Sequence, residues 1–455
     1  LFCLEVGGLQ RILIPDQDLV QRILQKNPIT SLRTIKTVER QIAGGMRERG
    51  KKFEPSNMGF GNPGLMAPKS LLNDYARLAK QLPPGYDDFQ GNLELRIAGA
   101  EHFRIFFGLR EADAEHVYAT AGTMEMNHIM IDILAYLHNK GKAPVLLFLE
   151  PGYAEIPDQV ADLGMEGVLK PISWKDCRGE NIEKLRDIFK KLRGEFPDRE
   201  IFFHWSTLGN PVPVSFTEEE YKALWEICNT YDVIVFEDYA YPMAEGYYRF
   251  GGPTFPSAGK YMKYAAVSLS FSKSLSEARD RLSITMITPE LKERLKRYRG
   301  VDELTIRNRH IITHPSVPIQ IATARFLKRI NKGRFNMQRY LKPYHVYGEK
   351  VYHAFSKDGL KWAMTNPDGT LPKIFYLPMT REDFASGYEL VAALMRFGII
   401  TVPLEVFSST EETRIHGVRI TVSGAMLDPK TGRDRYKPLE RRLEYFVEQY
   451  GSRAA

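Results

Sequence analysis

Lys273 is the lysine of this chain with the most sharply defined chemical setting. It follows an apolar run that predicts a buried strand, Ala265–Phe271, and it completes the tetrad Ser270-x-Ser272-Lys273. Arg281 follows eight residues later. A partly buried amine beside a second cation loses its proton more readily, which imine formation requires. Because hydroxyls and an arginine fork suit a phosphate, the segment predicts a lysine that binds an aldehyde cofactor carrying a phosphate.

Other polar and aromatic residues also follow apolar runs that predict strands. Tyr153 follows residues 145–149, Asn210 follows residues 201–205 and Asp238 follows residues 233–236. Strand runs alternate with helical segments from about residue 57 to residue 314, which predicts a mainly parallel sheet with helices on both faces. Ligands of open α/β sheets bind at the carboxyl ends of the strands. We therefore expect these residues to share one site with Lys273.

The ordered set of motifs resembles that of class I/II aminotransferases, which are fold-type I enzymes that use pyridoxal 5'-phosphate (PLP). The resemblance covers the chain from about Gly59 to Arg419. The motifs that carry it are Gly61-x-Pro63, Tyr86-x4-Gly91-x3-Leu95-Arg96, Ala121-Gly122-Thr123, Pro151-Gly152-Tyr153, Asn210-Pro211, Asp238-x-Ala240-Tyr241, Ser270-x-Ser272-Lys273 with Arg281, and Gly417-Val418-Arg419-Ile420-Thr421.

The resemblance implies a role for each residue of the PLP site. Lys273 is expected to form the Schiff base, and the Asp238 carboxylate to pair with the ring nitrogen so that the ring accepts electrons. Tyr241 and Asn210 are expected to reach the ring oxygen, and Tyr153 to stack on the ring. The phosphate is assigned to Ala121, Gly122, Thr123, Ser270, Ser272 and Arg281, and to Tyr86 of the neighbouring subunit.

The same resemblance implies an amino acid and a 2-oxo acid as substrates of a homodimer with shared active sites. Arg419 is expected to bind the α-carboxylate, because a planar fork suits a carboxylate. Gly61 is expected to line the substrate side of the cofactor. Arg309 lies six residues before Pro315, and its position suggests a grip on a second substrate carboxylate. The catalytic residues would be Lys273, Asp238 and Tyr241, with Lys273 as the base that removes the α-proton.

The expected fold is that of a fold-type I PLP enzyme of the α/β class. A large domain, residues 57–320, would contain a mainly parallel seven-stranded sheet flanked by helices. Residues 321–455 would form a smaller α+β domain. Residues 1–56 would form a helical segment that packs on the small domain.

Departures from the family pattern leave the reaction open. Val212 and Pro213 replace the Thr-Gly that usually follows Asn-Pro, and the lysine loop lacks the family's glycines. We predict a divergent member whose most favoured reaction is aminotransfer. Elimination or replacement, cyclisation, decarboxylation and oxidation remain alternatives, because all begin from the same bound state. A PLP-binding regulator is disfavoured because only about 56 residues precede Gly59, with no winged helical unit.

Composition restricts the function classes further. A net charge of +7 comes from 63 basic and 56 acidic residues, which gives no argument for nucleic acid. Three widely spaced cysteines favour reduced thiols and a cytoplasmic setting, and no apolar run predicts a membrane span. Residues 59–64 match G-x-G-x-x-G, but no buried strand precedes them and no helix follows directly, which disfavours a dinucleotide site. No histidine spacing predicts a metal site.

Overall fold

The three-dimensional structure is a computed structural model. It describes residues 3–6, 9–135, 144–153, 155–162, 169–243, 248–296, 300–357, 359–364 and 375–451. The strands are β1 (Cys3–Val6), β2 (Leu9–Ile12), β3 (Lys52–Phe53), β4 (Ser56–Asn57), β5 (Val117–Thr120), β6 (Val145–Glu150), β7 (Leu169–Ser173), β8 (Ile201–Ser206), β9 (Ile234–Tyr239), β10 (Ala265–Ser270), β11 (Ser283–Ile287), β12 (Lys361–Trp362), β13 (Tyr376–Thr380), β14 (Ile399–Ile400), β15 (Val402–Pro403) and β16 (Val418–Thr421).

Helices connect most of these strands. They are α1 (Gln17–Lys26), α2 (Leu32–Glu48), α3 (Lys69–Gln81), α4 (Leu93–Phe107), α5 (Thr123–Ile133), α6 (Glu155–Asp162), α7 (Glu183–Glu195), α8 (Glu218–Thr230), α9 (Ala258–Tyr261), α10 (Phe271–Ser274), α11 (Pro289–Lys296), α12 (Glu303–Ile311), α13 (Val317–Asn331), α14 (Met337–Lys357), α15 (Gly387–Arg396) and α16 (Tyr436–Tyr450).

A seven-stranded sheet in the order β5-β11-β10-β9-β8-β6-β7 forms the centre of the large lobe. All neighbouring pairs are parallel except the two pairs made by β11, which runs antiparallel to β10 and to β5. The predicted mainly parallel seven-stranded sheet flanked by helices is therefore confirmed. Strand β11 was not predicted from the sequence, because its five residues begin only two positions after Arg281 and resemble a continuation of the lysine loop.

Both faces of this sheet are buried by helices. Along β10, Val267 and Leu269 belong to one apolar cluster with residues of α4 and α13. Ala266, which directly precedes Val267, belongs to another cluster with residues of α5. Because successive side chains of a strand point to opposite faces, the near-continuous apolar composition of β10 follows from burial on both sides.

Helical patterns in the sequence predict helices over residues 31–49, 181–192, 218–229 and 438–450, and α2, α7, α8 and α16 lie close to these bounds. The sequence also predicts one long helical stretch from Pro315 to about Phe355, but this part of the chain forms two helices, α13 and α14. Gly333 has a φ of 65°, a left-handed conformation that ends a helix and that glycine adopts without steric cost. Asn336 then accepts a hydrogen bond from the Arg339 backbone at 2.9 Å and begins α14.

Two expected elements extend beyond the part of the chain that the structure describes. The helix predicted over residues 124–137 is present as α5, and residues 136–137 lie outside the described residues. The strand predicted over residues 373–377 begins outside them, and its described part starts β13 at Tyr376.

The C-terminal lobe is built on the four-stranded sheet β12-β13-β16-β15. Its apolar cluster also takes in Val20 and Leu24 of α1 and Ile35 and Val38 of α2, so the N-terminal helices pack on this lobe. The domain limits at residues 56/57 and 320/321 stay a prediction.

Arg442 of α16 fixes the N-terminal segment to this lobe. Its guanidinium is buried, with 3% of the residue exposed. It donates to the Leu13 carbonyl at 2.8 Å, to the Glu54 carbonyl at 2.6 Å and to the Ser56 hydroxyl at 2.5 Å. Hydrogen bonds from a charged donor are stronger than neutral ones, so this side chain connects three points of the N-terminal segment to the last helix.

We predict that Arg442→Met lowers the free energy of unfolding by about 3 kcal/mol, because it leaves one buried and two part-buried acceptors without their charged donor. Urea unfolding followed by circular dichroism measures the change. Arg441→Met is the matched control, since Arg441 is exposed on the same helix and its loss should cost less than about 0.5 kcal/mol. Equal destabilisation by the two substitutions would contradict the role assigned to Arg442.

Candidate active site

The predicted site residues converge at the carboxyl edge of the central sheet. Strands β8, β9 and β10 are parallel neighbours, and Asp238 pairs in register with Ser206 on one side and Ser268 on the other. Lys273 follows the end of β10 directly, and Asn210 follows the end of β8. Parallel pairing therefore brings these residues together although they are far apart in the sequence.

Lys273 lies in the one-turn helix α10, and Ser270 caps this helix. The Ser270 hydroxyl accepts a hydrogen bond from the Ser272 backbone at 3.3 Å. The half-buried Lys273 amine donates to the carbonyl of Gly61. Burial, together with repulsion from Arg419 and Arg281, lowers the pKa of Lys273 to about 8. The amine is thus much closer to its nucleophilic, unprotonated form at neutral pH than a solvated lysine is.

The Asp238 carboxyl lies at the end of β9 with one oxygen unsatisfied. Its Oδ1 is buried and has no hydrogen-bond partner among the described residues. Burial raises the pKa of Asp238 to about 7, the Thr123 side chain opposes this by hydrogen bonding to the carboxylate, and the negative charge of Glu237 adds to it. A cation or a protonated nitrogen at Oδ1 would remove the cost of burying this charge.

Residues that sequence reasoning missed hold Thr123 and Asp238 in place. The Thr285 hydroxyl donates to Ser268 at 2.9 Å, and the Ser268 hydroxyl donates to Thr123 at 3.3 Å. This chain of hydroxyls crosses β11 and β10 and ends at the residue that contacts Asp238. Serine and threonine inside a strand give no distinctive pattern, so only the register reveals them.

Glu237 supports the same region from the other face of β9. Its carboxylate accepts four hydrogen bonds from side chains and one from a backbone amide. The side chains are Trp205 of β8, Thr207 just after β8, Tyr221 of α8 and Ser257 before α9, and the amide is that of Ala258. A buried carboxylate with this many donors fixes the strand that carries Asp238.

The loop between β5 and α5 forms a small cradle against Arg281. Gly122 has a φ of 93°, and a methyl group on it would lie 2.5 Å from the Arg281 guanidinium. Only glycine allows this approach. The first backbone amides of α5 lie beside it, where anions bind favourably. Ala121, one of the residues predicted to bind the phosphate, already uses its backbone amide in another contact. This amide donates a hydrogen bond to the Glu125 carboxylate at 2.5 Å.

Arg419 on β16 brings the small lobe into the site. It is buried, and it donates to the Asn210 side chain at 2.6 Å and to the Gly59 carbonyl. Its guanidinium lies between two aromatic rings, 4.4 Å from the centroid of Tyr376 and 5.0 Å from that of Phe407. Arg419 Nε is buried with no hydrogen-bond partner in the described part of the chain, so donor capacity remains for a carboxylate.

A pair of tyrosines joins the two lobes beside Arg419. The hydroxyls of Tyr241 and Tyr376 are 2.9 Å apart. Burial, followed by the neighbouring Tyr376, raises the pKa of Tyr241 well above its ordinary value, so Tyr241 stays protonated. Burial likewise raises the pKa of Tyr153 to about 12. Tyr376 was not expected from the sequence, because it belongs to no motif.

Two predicted site residues lie apart from this cluster. Tyr86 is 88% exposed and meets only the edge of the His314 ring among the aromatic contacts of the described residues. Arg309 is exposed and stacks on Phe89, with 4.8 Å from its guanidinium carbon to the ring centroid. Within the described residues, neither makes a hydrogen bond or ring contact with Lys273 or Arg419.

A cavity of about 300 Å³ adjoins the cluster, with Tyr153, Asn210 and Phe407 in its wall. The remaining lining contains Glu150, Asp158, His204 and Trp174, and no lysine or arginine among the described residues. Burial lowers the pKa of His204 to about 3, so this imidazole is neutral. The cavity therefore offers no positive charge to a ligand.

Two features, a metal-binding cluster and a membrane-spanning helix, are absent from the described residues. No group of three or more histidine, cysteine, aspartate or glutamate side chains is arranged to hold a metal ion. Among the described helices, none combines the length and the apolar composition needed to cross a bilayer.

Comparison with known families gives one match that covers most of the chain. Residues 57–430 match the model of the family described as aminotransferase class I and II. No curated protein was matched by sequence.

Solved structures with a similar fold include aminotransferases from three bacteria. A single mutant of the Thermus thermophilus aspartate aminotransferase is 17% identical, with a TM-score of 0.71 over 94% of this chain and 98% of that chain. The Thermotoga maritima aspartate aminotransferase is 16% identical, with a TM-score of 0.70 over 94% and 99%. YbdL from Escherichia coli, described as having a methionine aminotransferase function, is 16% identical, with a TM-score of 0.70 over 94% and 98%. At these identities the likeness concerns the fold.

We predict that Lys273 reacts with a small amine-acylating reagent with a pH midpoint near 8, because its ammonium form is destabilised by burial and by two arginines. Arg419→Met should move the midpoint upward by about half a unit or more, since removing a positive neighbour stabilises the ammonium. Peptide mapping by mass spectrometry in ligand-free protein measures the midpoint. The exposed Arg441→Met serves as the control, and a midpoint that Arg419→Met leaves unchanged would contradict the assigned cause.

Proposed function

Because this chain belongs to the aminotransferase class I and II family, a family of PLP-dependent enzymes, we propose that its site transfers an amino group between an amino acid and a 2-oxo acid with Lys273 as the central residue. The observation that carries the proposal is the juxtaposition of Lys273, the Asp238 carboxyl and Arg419 at one edge of the sheet. The pKa of Lys273 is lowered to about 8, and the pKa of Asp238 is raised to about 7.

The residues at this edge fit PLP. The buried, unsatisfied Oδ1 of Asp238 suits the protonated nitrogen of a pyridine ring, which would supply the missing charge and restore an ionised carboxylate. The approach of Arg281 to Gly122 beside the start of α5 suits a phosphate, with Ser270 and Ser272 beside Lys273. Tyr153 would cover one face of the ring, and Asn210 and Tyr241 would contact its edge.

The chain's own residues divide the reaction between them. PLP, when bound, supplies an electron sink for the electron pair left at the substrate α-carbon. Arg419 and Asn210 hold the substrate carboxylate, and the Lys273 amine removes the proton from the α-carbon and carries it to the next acceptor. With PLP bound, Asp238 would keep a proton on the ring nitrogen and Tyr241 would donate a hydrogen bond to the ring oxygen. Tyr153 would help to exclude water from the site.

The test is a panel of amino acids offered to the PLP-loaded protein, with the 2-oxo acid product measured by mass spectrometry. We expect at least one amino acid to give its 2-oxo acid, and Asp238→Asn to retain PLP while losing several powers of ten in rate, because an amide cannot hold the ring proton electrostatically. Release of ammonia or carbon dioxide in place of amino transfer would assign one of the alternative PLP reactions. An Asp238→Asn protein of full activity would remove Asp238 from the mechanism.

A homodimer with shared sites is part of the proposal. Tyr86 is 88% exposed, although the resemblance assigns it to a phosphate. The segment around Tyr86 packs on the segment around Arg309, since the Asp87 amide donates to His314 and the Asn308 side chain donates to the Phe89 carbonyl at 2.7 Å. These contacts support a common surface that faces a second copy of the chain.

We predict a dimer whose PLP occupancy falls when dilution separates the subunits, since phosphate contacts from two chains couple PLP retention to assembly. Tyr86→Phe should keep the dimer and release PLP several-fold faster. Analytical ultracentrifugation and PLP absorbance at decreasing protein concentration measure the two properties. A monomer with full PLP occupancy would be incompatible with shared sites.

The charge distribution restricts where an acidic substrate could place its second carboxylate. The cavity next to Asn210 contains carboxylates and no basic residue among its described lining, so it suits a neutral side chain. Arg309 of the partner subunit is the proposed alternative for an acidic side chain, and aspartate aminotransferases among the similar structures favour testing it. A substrate side chain that enters the cavity next to Asn210 would be neutral, whereas one that reaches Arg309 of the partner subunit would be acidic.

We predict that Arg309→Leu lowers kcat/KM for glutamate relative to a neutral amino acid by about tenfold or more, because a bidentate pair with the second carboxylate is lost. Steady-state kinetics with both substrates give the ratio. Arg307→Leu is the control, since Arg307 forms an ion pair with Asp132 at 3.0 Å. An unchanged ratio, or an equal change in both variants, would show that Arg309 does not select the substrate.

We also propose a reducing, cytoplasmic setting for the protein. Cys177 and Cys228 are buried and free, and buried thiols of this kind behave as small apolar side chains.

A further inference from the structure

Tyr376 contacts both Tyr241, which is proposed to face the cofactor, and Arg419, which is proposed to bind the substrate. It begins β13, which pairs antiparallel with β16, and it is 3% exposed. Tyr376 pairs with Thr421 across the two strands, and Pro378 pairs with Arg419. Tyr376 is therefore the diagonal neighbour of Arg419. Side chains two residues apart on a strand share a face, which places the Tyr376 ring beside the guanidinium.

Three contacts of this side chain differ in kind. The ring lies against Arg419, 4.4 Å from centroid to guanidinium carbon. The hydroxyl is 2.9 Å from the Tyr241 hydroxyl. The same hydroxyl lies so close to Gly61 that a methyl group at residue 61 would collide with it. The carbonyl of Gly61 in turn accepts the hydrogen bond from the Lys273 amine.

We propose that Tyr376 is a positioning residue with two separable functions: its ring orients Arg419 for the substrate carboxylate, and its hydroxyl fixes the Tyr241 hydroxyl as a donor to the PLP ring oxygen. This inference rests on the proposed function, because it needs PLP beside Tyr241 and a carboxylate at Arg419. It goes beyond that function by naming one side chain, in the small lobe, that serves both ligands.

The hydroxyl function follows from the proton count of the tyrosine pair. Either oxygen of the pair could be the donor. If Tyr241 gives its hydrogen to the PLP ring oxygen, its own oxygen can only accept, so the Tyr376 hydroxyl must be the donor. A hydroxyl that accepts one hydrogen bond becomes a better donor in the next, because such bonds polarise one another.

The ring function follows from the surroundings of Arg419. A guanidinium stacked on an aromatic face is held in one plane and is attracted to the ring. Phe407 contributes a second ring at 5.0 Å, and the Asn210 oxygen and the Gly59 carbonyl take two of its donor groups. Arg419 is thus oriented before the substrate arrives, which reduces the entropy lost on binding a carboxylate.

Two substitutions separate the functions. Tyr376→Phe removes the hydroxyl and keeps the ring, so the pH midpoint of the PLP absorbance change should rise by about half a unit, while the KM of the best amino acid of the panel changes less than about twofold. The midpoint rises because a weaker hydrogen bond from Tyr241 stabilises the deprotonated ring oxygen less. Tyr376→Leu removes the ring, so KM and the Kd of propionate should rise about tenfold and kcat should fall less than KM rises.

Tyr248→Phe is the control for the loss of a buried tyrosine hydroxyl. Tyr248 is 2% exposed, and its hydroxyl is 2.9 Å from Nε2 of His102 in the core of the large lobe. It should change neither the absorbance midpoint nor KM.

The outcomes distinguish this inference from the proposed function. A wild-type protein that binds no PLP, or that converts no amino acid of the panel, would overturn the proposed function and the inference together. A working wild type with an unchanged absorbance midpoint in Tyr376→Phe, or an unchanged propionate Kd in Tyr376→Leu, would overturn the inference alone. Equal losses of both properties in both variants would show that Tyr376 only stabilises the fold, which also overturns it.

Discussion

The cost of burying charge at the carboxyl edge of the central sheet governs this molecule's chemistry. Asp238 is held there with one unsatisfied oxygen and a pKa raised to about 7, and Lys273 is held nearby with a pKa lowered to about 8. Each group is shifted toward its neutral form because water is excluded. In the proposed function, a PLP molecule would bring a basic ring nitrogen to Asp238, an aldehyde to Lys273 and a phosphate to Arg281.

Arg419 connects this chemistry to the small lobe. It repels the proton of Lys273 and also has donor capacity for a substrate carboxylate. An arriving carboxylate would neutralise the guanidinium and thereby raise the affinity of Lys273 for a proton. Substrate binding and the basicity of Lys273 are therefore coupled through one side chain. That side chain is fixed by Asn210 of the large lobe and by the rings of Tyr376 and Phe407.

Much of the architecture could be predicted because its causes are local. Apolar runs identified β6, β8, β9 and β10, and polar residues after each run marked the carboxyl edge. Strand β11 escaped because its direction depends on pairing with β5 and β10, which a five-residue run does not encode. The break between α13 and α14 escaped because a single left-handed glycine within a helical pattern is easily overlooked.

The supporting residues of the site depend on tertiary contacts and could not be predicted. Ser268 and Thr285 look like ordinary strand residues until their register aligns them with Thr123. Tyr376 has no motif, and its importance comes from its contacts with Arg419, Tyr241 and Gly61. Tyr86 and Arg309 were assigned through the resemblance, and their exposure leaves their roles to the assembled dimer.

The central claim, that Lys273 is the residue that binds PLP covalently, has one direct measurement. The PLP-loaded protein is reduced with borohydride, digested and mapped by mass spectrometry, with Lys273→Ala treated in parallel. We expect a yellow protein whose absorption band borohydride removes, with PLP fixed only on the peptide that contains Lys273 and on no peptide of Lys273→Ala. PLP fixed on another lysine, or an unreduced band in the wild type, would contradict it.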